Sequence, residues 1–279
     1  MTSSQISLFG SQVHYWAYGP AGGRAVLMVH GFRGNHLGLL KIIDGLEEYR
    51  FIVPDLPGFG VSTPMTELPH TAAGYAAFVE AFITGLQLDK PVLLGHSYGS
   101  VIASRVAATE PGLVSELVLV SPIATAPSAG LNHLVSMFVE GYYWLGTHLP
   151  ERLGTRVLMS RTFNRLMSLT LTKTRDPATR RAIYRHHLGD LQFAQNRRVI
   201  TESFPDSIAK TAADEAERIP HRTLLIAGEK DALSPARSQR GLAARLPQGS
   251  LVLIPHVGHL VHLEAPREAA QAIRRFLTR

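Results

Sequence analysis

The stretch that decides the fold spans residues 93 to 101 and reads Leu93-Leu94-Gly95-His96-Ser97-Tyr98-Gly99-Ser100-Val101. An apolar, strand-like run enters it and a helical pattern leaves it, so Ser97 is predicted to lie on a tight strand-to-helix turn. Such a turn lifts the hydroxyl clear of the sheet and aims the first N–H groups of the helix at it. Gly95 and Gly99 provide the room that the crossing strand and helix require. The pattern is that of a nucleophile elbow.

The composition is that of a globular chain that can bury a sizeable core. Its 279 residues are 45% apolar and include no cysteine. No apolar run approaches the roughly 20 residues that cross a bilayer. We therefore expect no stable membrane insertion, no disulfide framework and no thiol nucleophile. The first six residues lack the basic and apolar regions of a secretory signal, so a cytoplasmic location is expected.

The formal net charge of +6 is concentrated in one segment of the chain. Residues 150–222 hold 14 Lys and Arg against 8 Asp and Glu, whereas the remainder holds 14 of each. We interpret the surplus as the solvated faces of helices, with attraction of an anionic substrate or surface as the alternative. No motif of basic and aromatic residues for nucleic acid accompanies it, so no nucleic-acid partner is expected.

Short apolar runs alternate with helical patterns on both sides of the elbow. Strand-like runs occupy 12–17, 25–30, 51–54, 92–95, 117–120, 223–227 and 251–254, and helical patterns occupy about 36–48, 71–87, 98–109 and 266–277. Apolar strands separated by helices predict an α/β fold with a mostly parallel central sheet of about eight strands, flanked by helices. Antiparallel pairing is expected only for the earliest strands, at one edge.

The strand pattern stops between residues 122 and 218, where the sequence becomes helical, basic and rich in large apolar side chains. We predict that 122–218 is an inserted helical lid and that 1–121 and 219–279 form the core domain. Because a lid over a site lines it, Phe138, Tyr142 and Trp144 are predicted to contact the substrate. Packing between lid helices is the alternative for this aromatic cluster.

A serine hydroxyl needs a base within hydrogen-bond reach, and the base needs a third group that fixes its tautomer. Such groups lie on loops beyond the carboxyl ends of parallel strands. Asp231 follows the run 223–227 and His259 follows 251–254, which gives the chain order Ser97, Asp231, His259 expected after such an elbow. The alternatives that the spacing leaves open are Glu229 as the acid and His256 or His262 as the base.

Two backbone N–H donors are needed near Ser97 to hold the negative charge that forms when its hydroxyl attacks. Tyr98 supplies one by position, and Phe32, in the loop after 25–30, is expected to supply the other. His30 is interpreted as a brace for that loop. Arg33 is predicted to bind a substrate carboxylate, with a solvent-facing arginine as the alternative. Asp55 is interpreted as a carboxylate that forms a turn.

Motifs for metals and nucleotide cofactors are absent from the sequence. It contains neither H-E-x-x-H, nor a P-loop, nor the G-x-G-x-x-G fingerprint. The adjacent His186 and His187 are expected to project from different sides of a helix, which does not suit a shared metal. We expect no metal and no cofactor, and a small-molecule substrate as the partner. The sequence does not predict the oligomeric state.

Taken together, five motifs in order resemble the α/β-hydrolase superfamily over nearly the whole chain outside 122–218. They are His-Gly-Phe at 30–32, Asp-Leu-Pro-Gly-Phe-Gly at 55–60, Gly-His-Ser-Tyr-Gly at 95–99, Gly-Glu-Lys-Asp at 228–231 and Gly-His at 258–259. The resemblance implies a serine hydrolase that cleaves a carboxylic ester of small to medium, partly apolar substrates through an acyl-enzyme. Epoxide hydrolases and haloalkane dehalogenases of the superfamily carry aspartate at the elbow, so Ser97 argues against both.

Fold alone does not choose the activity within this superfamily. One alternative is hydrolysis of a carbon–carbon bond in a ring-cleavage diketone, for which Arg33 would hold a substrate carboxylate. The other is a ligand-binding, receptor-like protein that retains a slow hydrolase site.

Overall fold

The structure is a computed structural model that describes residues 1–126, 133–190 and 196–278, with all side chains except those of 133–136 and 190. Eight strands of the described chain form one central sheet: β1 (Thr2–Leu8), β2 (Ser11–Tyr18), β3 (Ala25–Val29), β4 (Arg50–Pro54), β5 (Val92–His96), β6 (Leu117–Val120), β7 (Thr223–Gly228) and β8 (Gly249–Ile254). Their order across the sheet is β1-β2-β4-β3-β5-β6-β7-β8.

The sheet is parallel from β4 to β8, whereas β1 and β2 are antiparallel at one edge. The predicted α/β fold class is therefore confirmed. β1 lies outside the predicted runs. Most of its residues are exposed and polar because it pairs on one side only, so it lacks the apolar signal that marks the buried strands.

The helices of the described chain are α1 (Leu40–Ile43), α2 (Ala72–Gly85), α3 (Tyr98–Thr109), α4 (His133–His148), α5 (Glu151–Leu158), α6 (Arg161–Leu171), α7 (Pro177–Asp190), α8 (Arg197–Ala209), α9 (Ala236–Arg245), α10 (Val261–Glu264) and α11 (Pro266–Leu277). Single turns of 3₁₀ helix lie at His36–Leu39, Pro111–Leu113, Ala212–Asp214 and Ala216–Arg218. The helix predicted for 36–48 is wrong in length: one 3₁₀ turn and α1 take its place. The chain leaves the helix before Gly45, whose φ of +90° no right-handed helix contains.

Helices cover both faces of the sheet, and alternate strand residues point to opposite faces. Leu93 of β5 packs in the apolar cluster under α2 and α3, whereas Leu94 packs in the cluster under α1 and α11. All five residues of β5 are buried. This strand is the floor of the site described below, and packing on both faces holds its carboxyl end in place.

Five helices, α4 to α8, lie between β6 and β7 in the described chain, and we call them the helical segment. Residues 127–132 and 191–195, which belong to the predicted lid, lie outside the described residues. The 3₁₀ turns at Ala212–Asp214 and Ala216–Arg218 contact α3 of the core, and Ala212 and Ala216 are fully buried there. Within the described residues, no helix combines the length and the apolar character needed to span a bilayer.

Candidate active site

Ser97 occupies the turn between β5 and α3, in a backbone conformation that residues other than glycine rarely adopt. Its φ is +52° and its ψ is −121°, and its N–H donates to the Val120 carbonyl oxygen at 3.0 Å. A Cβ atom on Gly95 would lie 2.3 Å from the Gly99 carbonyl oxygen, and one on Gly99 would lie 2.3 Å from that of Val29. Both contacts are with backbone, so only glycine fits and the predicted elbow is present.

His259 connects Ser97 to a buried carboxylate. Its Nε2 lies 2.9 Å from the Ser97 hydroxyl oxygen, and its Nδ1 lies 2.8 Å from Asp231 Oδ2. The other Asp231 oxygen accepts the N–H groups of Leu233 and Ser234, at 2.8 and 3.2 Å. Asp231 and His259 are 4% and 2% exposed, so both hydrogen bonds lie out of bulk water. The structure thus brings together the three side chains that the sequence proposed for this site.

The alternative acid and bases, Glu229, His256 and His262, make no described hydrogen bond to Ser97 or His259. Glu229 and His256 are exposed, and the Glu229 carboxylate accepts the His256 N–H at 3.4 Å. His262 is buried with its ring centroid 3.9 Å from that of His96. Burial holds the pKa of both imidazoles well below the ordinary value, so His96 and His262 are neutral packing groups beside the site.

The loop after β3 closes against the elbow. Its turn is fixed by a hydrogen bond from the Gly34 N–H to the Gly31 carbonyl oxygen at 3.0 Å, with Arg33 at φ +59°. A Cβ atom on Gly31 would come within 3.0 Å of the Ser97 Cβ, so this backbone lies directly against the serine. The Phe32 and Tyr98 rings meet edge to face at 6.5 Å. Phe32 and Tyr98, whose N–H groups we predicted as donors, therefore flank Ser97.

His30 braces the same loop, as the sequence suggested, and Asp55 accepts backbone N–H groups, as expected of a carboxylate that forms a turn. The Leu56 N–H donates to His30 Nε2 at 2.9 Å, and His30 Nδ1 lies 2.8 Å from the Gly31 carbonyl oxygen. Burial lowers the pKa of His30, so its neutral form is favoured. The Asp55 carboxylate accepts the N–H groups of His36 and Val61, at 2.7 and 2.9 Å. Asp55 Oδ1 also lies 2.9 Å from His36 Nδ1, so His30 and Asp55 are both engaged in structural hydrogen bonds.

A cavity of about 270 Å³ opens over Ser97 and His259. Its described lining is largely aromatic and apolar and includes several imidazoles. Among the residues that line it are Phe32, Arg33, Val139, Tyr142, Tyr143, Leu158, Phe163, Met167, His187 and Phe204. Two of the four predicted substrate contacts, Arg33 and Tyr142, therefore border the cavity.

Phe138 and Trp144 do not border the cavity, which corrects the prediction that they contact the substrate. They are 56% and 58% exposed, whereas Tyr142 is 9% exposed. The reason is helical periodicity. Val139, Tyr142 and Tyr143 form a stripe of α4 that faces the cavity, which we call the inner stripe. Phe138 and Trp144 lie on the opposite, outer stripe. Sequence composition marked the helix as aromatic but did not give its rotation.

Arg33 joins the loop after β3 to the helical segment rather than facing solvent. Its Nη2 donates to the Leu158 carbonyl oxygen at 2.7 Å, and its Nη1 donates to the Tyr143 hydroxyl at 3.4 Å. The guanidinium also lies 5.9 Å from the centre of the Tyr143 ring. The loop that carries Phe32 is thereby attached to α4 and α5.

A second attachment, which the sequence did not reveal, holds His259. Its N–H donates to the Leu171 carbonyl oxygen at 3.1 Å. Glu264 accepts the N–H groups of Lys173 and Thr174, at 2.9 and 2.6 Å, and that of Gly258 at 3.1 Å. A carboxylate that binds only backbone N–H groups leaves no motif in one sequence, because any residue can supply those donors.

His186 and His187 both border the cavity, which differs from the expectation that they project from different sides of α7. Consecutive helix residues point only about 100° apart, so a concave surface can contact both. Burial lowers the pKa of His187 to about 4, with His186 adding to the effect. No group of three or more His, Asp or Glu side chains in the described residues is placed to hold a metal ion.

Hydrogen bonds connect a serine to a histidine and the histidine to an aspartate, at the carboxyl edge of a mostly parallel sheet. This arrangement defines a serine hydrolase. A family model described as "alpha/beta hydrolase fold" matches residues 24–266, so the chain belongs to the α/β-hydrolase fold family. It is an esterase-like serine hydrolase of that family.

Curated relatives and solved structures extend the likeness over almost the whole chain. "Uncharacterized hydrolase YugF" of Bacillus subtilis (strain 168) is 26% identical over 277 residues, which cover 98% of this chain and 97% of that protein. "Lipase 1" of Psychrobacter immobilis is 24% identical, over 96% of this chain and 81% of its own. A thermophilic esterase from Thermogutta terrifontis has a TM-score of 0.79 and 24% identity, over 100% and 98% of the two chains, a likeness of fold.

Proposed function

We propose that this chain hydrolyses a carboxylic ester of small to medium size with an apolar acyl or alcohol part, through an acyl-enzyme on Ser97. The observation that carries the proposal is the pair of hydrogen bonds at His259, 2.9 Å to Ser97 and 2.8 Å to Asp231. His259 takes the hydroxyl proton as Ser97 attacks the ester carbonyl, and returns it to the departing alcohol. Water activated by the same imidazole then releases the acid.

Asp231 has a positioning role in this mechanism. One of its oxygens fixes the tautomer of His259 by accepting the Nδ1 proton, so that Nε2 is the basic nitrogen facing Ser97. Its other oxygen is held by two N–H groups of its own loop, Leu233 and Ser234. The carboxylate therefore stabilises the imidazolium that forms during attack without having to reorient.

The negatively charged oxygen of the tetrahedral intermediate is proposed to accept hydrogen bonds from the N–H groups of Tyr98 and Phe32. Tyr98 begins α3, whose unpaired N–H groups and dipole favour an anion at this end. Phe32 belongs to the turn that touches Ser97 from the other side. Together they would hold the oxygen in a site enclosed by protein, where such hydrogen bonds are strong.

The cavity supports a substrate that is compact and partly apolar. Its volume of about 270 Å³ suits a short acyl or alcohol chain, and Tyr142 stacks on Phe163 at 3.4 Å to form one wall. We assign substrate contacts to Tyr142 and Arg33, and the role of lid to 122–218, since α4 to α7 contribute residues to the lining. The substrate is a small molecule in this proposal, and a cytoplasmic location stays a prediction.

Carbon–carbon bond hydrolysis is the second candidate, and Arg33 is the observation in its favour. A cavity-lining guanidinium suits the carboxylate that a ring-cleavage diketone acid carries. The same triad would then attack a ketone instead of an ester. Esters without a carboxylate would be poor substrates in that case, which separates the two candidates in one assay. A receptor-like protein would instead turn over about once per molecule.

The test is a panel of p-nitrophenyl esters of increasing acyl length, run beside a coloured vinylogous diketone acid. We expect turnover of short-chain esters, loss of kcat by about 10⁴-fold or more in Ser97→Ala, and no change in His256→Ala. His256 is a matched control because it is an exposed histidine of the same loop as His259. Turnover of the diketone acid alone, or equal rates for Ser97→Ala and the parent, would contradict the proposal.

A further inference from the structure

In the described residues, the exposed large apolar side chains are concentrated on α4, α5 and α6 and the turn between α5 and α6. Twelve large hydrophobic side chains of the described residues are strongly exposed, and eight of them lie between residues 137 and 169. They are Met137, Phe138, Trp144, Leu145, Leu153, Met159, Leu166 and Leu169. Isolated exposed hydrophobic residues are normal on a protein surface, but such a concentration marks a contact surface.

Helix α4 has one apolar face towards the cavity and a second towards the outside. Val139 and Tyr142 are 9% exposed and line the cavity, whereas Phe138 and Trp144 are 56% and 58% exposed. Met137, Phe138, Trp144 and Leu145 recur at the spacing of one helical stripe. A helix that only closed a cavity would carry polar residues on its outer side, so this outer stripe needs a separate explanation.

The neighbouring helices pack beside α4 and carry exposed apolar side chains of their own. α5 packs closely on α4, because a Cβ atom on Gly146 would lie 2.4 Å from Leu158 and one on Gly154 would lie 2.3 Å from the Gly146 carbonyl oxygen. α6 reaches the outer stripe through Phe163, whose ring centroid lies 6.0 Å from that of Phe138. We call the eight exposed residues the outer apolar face.

Exposed arginines lie on two of the helices that carry the outer apolar face. Arg152 and Arg156 of α5 and Arg161 and Arg165 of α6 are all exposed. The exposed carboxylates described on α4 to α6 are Glu140 and Glu151. Four guanidinium groups against two carboxylates give this part of the surface a positive charge, so a partner of negative charge is attracted to it.

We propose that the outer apolar face binds the surface of a lipid bilayer that contains anionic lipids, with α4 lying in the interface and no helix crossing the membrane. Tryptophan, phenylalanine and leucine with flanking arginines are the composition of helices that insert an apolar side into the headgroup region. A second copy of this chain is disfavoured as occupant, because a two-fold contact would bring the same arginines together. This surface is independent of the ester chemistry at Ser97.

The test is co-sedimentation of the full chain with vesicles of phosphatidylcholine alone or with one third phosphatidylglycerol. Arg152→Gln/Arg156→Gln removes two charges from the face, and Arg237→Gln/Arg240→Gln is the matched control because it removes two exposed arginines from α9. Trp144→Ser removes the largest apolar side chain. Circular dichroism establishes that each variant is folded, and sedimentation velocity reports the oligomeric state.

We expect binding to the anionic vesicles, weakened by salt, and little binding to phosphatidylcholine alone. The α5 pair should lower the partition coefficient about 30-fold, since each basic residue near such a surface is worth about fivefold. Trp144→Ser should lower it about tenfold, and the α9 pair should leave it unchanged. Absence of binding, equal losses in the two arginine pairs, or a dimer that Trp144→Ser dissociates would overturn the proposal. The last result would assign the face to a second copy.

Discussion

The N–H of His259 donates to the carbonyl oxygen of Leu171 at 3.1 Å, so the imidazole that faces Ser97 is anchored to the helical segment as well as to the sheet. Glu264 strengthens this junction by accepting N–H groups from both sides, Gly258 at 3.1 Å and Lys173 at 2.9 Å. The geometry of the proposed base therefore depends on where α6 ends.

Glu264→Gln should lower kcat more than it changes KM. The amide has the shape of the carboxylate, but one of its two ends donates instead of accepting, so at least one of the three N–H groups loses its partner. A small displacement of His259 should lower kcat about 10- to 100-fold, with KM changed about twofold or less. Steady-state kinetics on a short-chain ester measure both, and the proton resonance of His259 Nδ1–H reports its bond to Asp231.

Glu229→Gln is the matched control for that variant. Its carboxylate accepts the His256 N–H at 3.4 Å and is exposed, so it touches the same loop without reaching the helical segment. We expect parent kcat and an unshifted resonance. If Glu264→Gln only lowers the melting temperature and keeps kcat and the resonance of the parent, Glu264 is a structural residue and not a positioning one.

Gly95→Ala should destabilise the fold far more than an alanine at an uncrowded glycine. Its Cβ would lie 2.3 Å from the Gly99 carbonyl oxygen, which is backbone and cannot turn away. We expect a loss of more than about 3 kcal/mol in the free energy of unfolding. Gly112 has no described atom within 4 Å of such a Cβ, so Gly112→Ala should change it by less than about 1 kcal/mol. Urea denaturation compares them, and similar values would contradict the crowding of the elbow.

Stability should fall as the pH falls from about 6.5 to 4. Burial lowers the pKa of His187 from 6.5 to about 4, so between these values the unfolded chain binds a proton that the folded chain does not. Neutral His187 therefore contributes about 3 kcal/mol to the free energy of unfolding above pH 6.5, and this contribution is lost progressively as the pH falls to 4. Denaturation at several pH values should give a shallower decline for His187→Gln. The same slope in both proteins would contradict this assignment.

Phe163→Leu should change the preference for acyl length, and Phe138→Leu should not. Their rings lie 6.0 Å apart, but only Phe163 borders the cavity. Leucine is smaller than phenylalanine and does not stack on Tyr142, so Phe163→Leu widens the cavity on that side. The ratio of kcat/KM for octanoate to that for butyrate should therefore rise about tenfold or less. Equal shifts in both variants would mean that the exposed Phe138 reaches the substrate after all.

The features that could be predicted from the sequence are those marked by residue types within a short stretch of chain. The elbow at 95–99, the buried parallel strands and the loops carrying Asp231 and His259 all have signals in residue type and spacing, and the structure places the three side chains within hydrogen-bond reach. The prediction that Phe138 and Trp144 contact the substrate was wrong, because the rotation of a helix about its axis depends on packing partners far along the chain. Glu264 and the Leu171 carbonyl were missed for a related reason, since backbone contacts between distant segments leave no residue signature.

The central claim is that Ser97 becomes acylated during turnover, with His259 as its base. Rapid acid quenching of the reaction with a p-nitrophenyl ester, followed by peptide mass spectrometry, tests it most directly. The account predicts one acyl group on the peptide that contains Ser97, formed far more slowly in His259→Ala and absent in Ser97→Ala. An acyl group on another residue, or full turnover in Ser97→Ala, would contradict it.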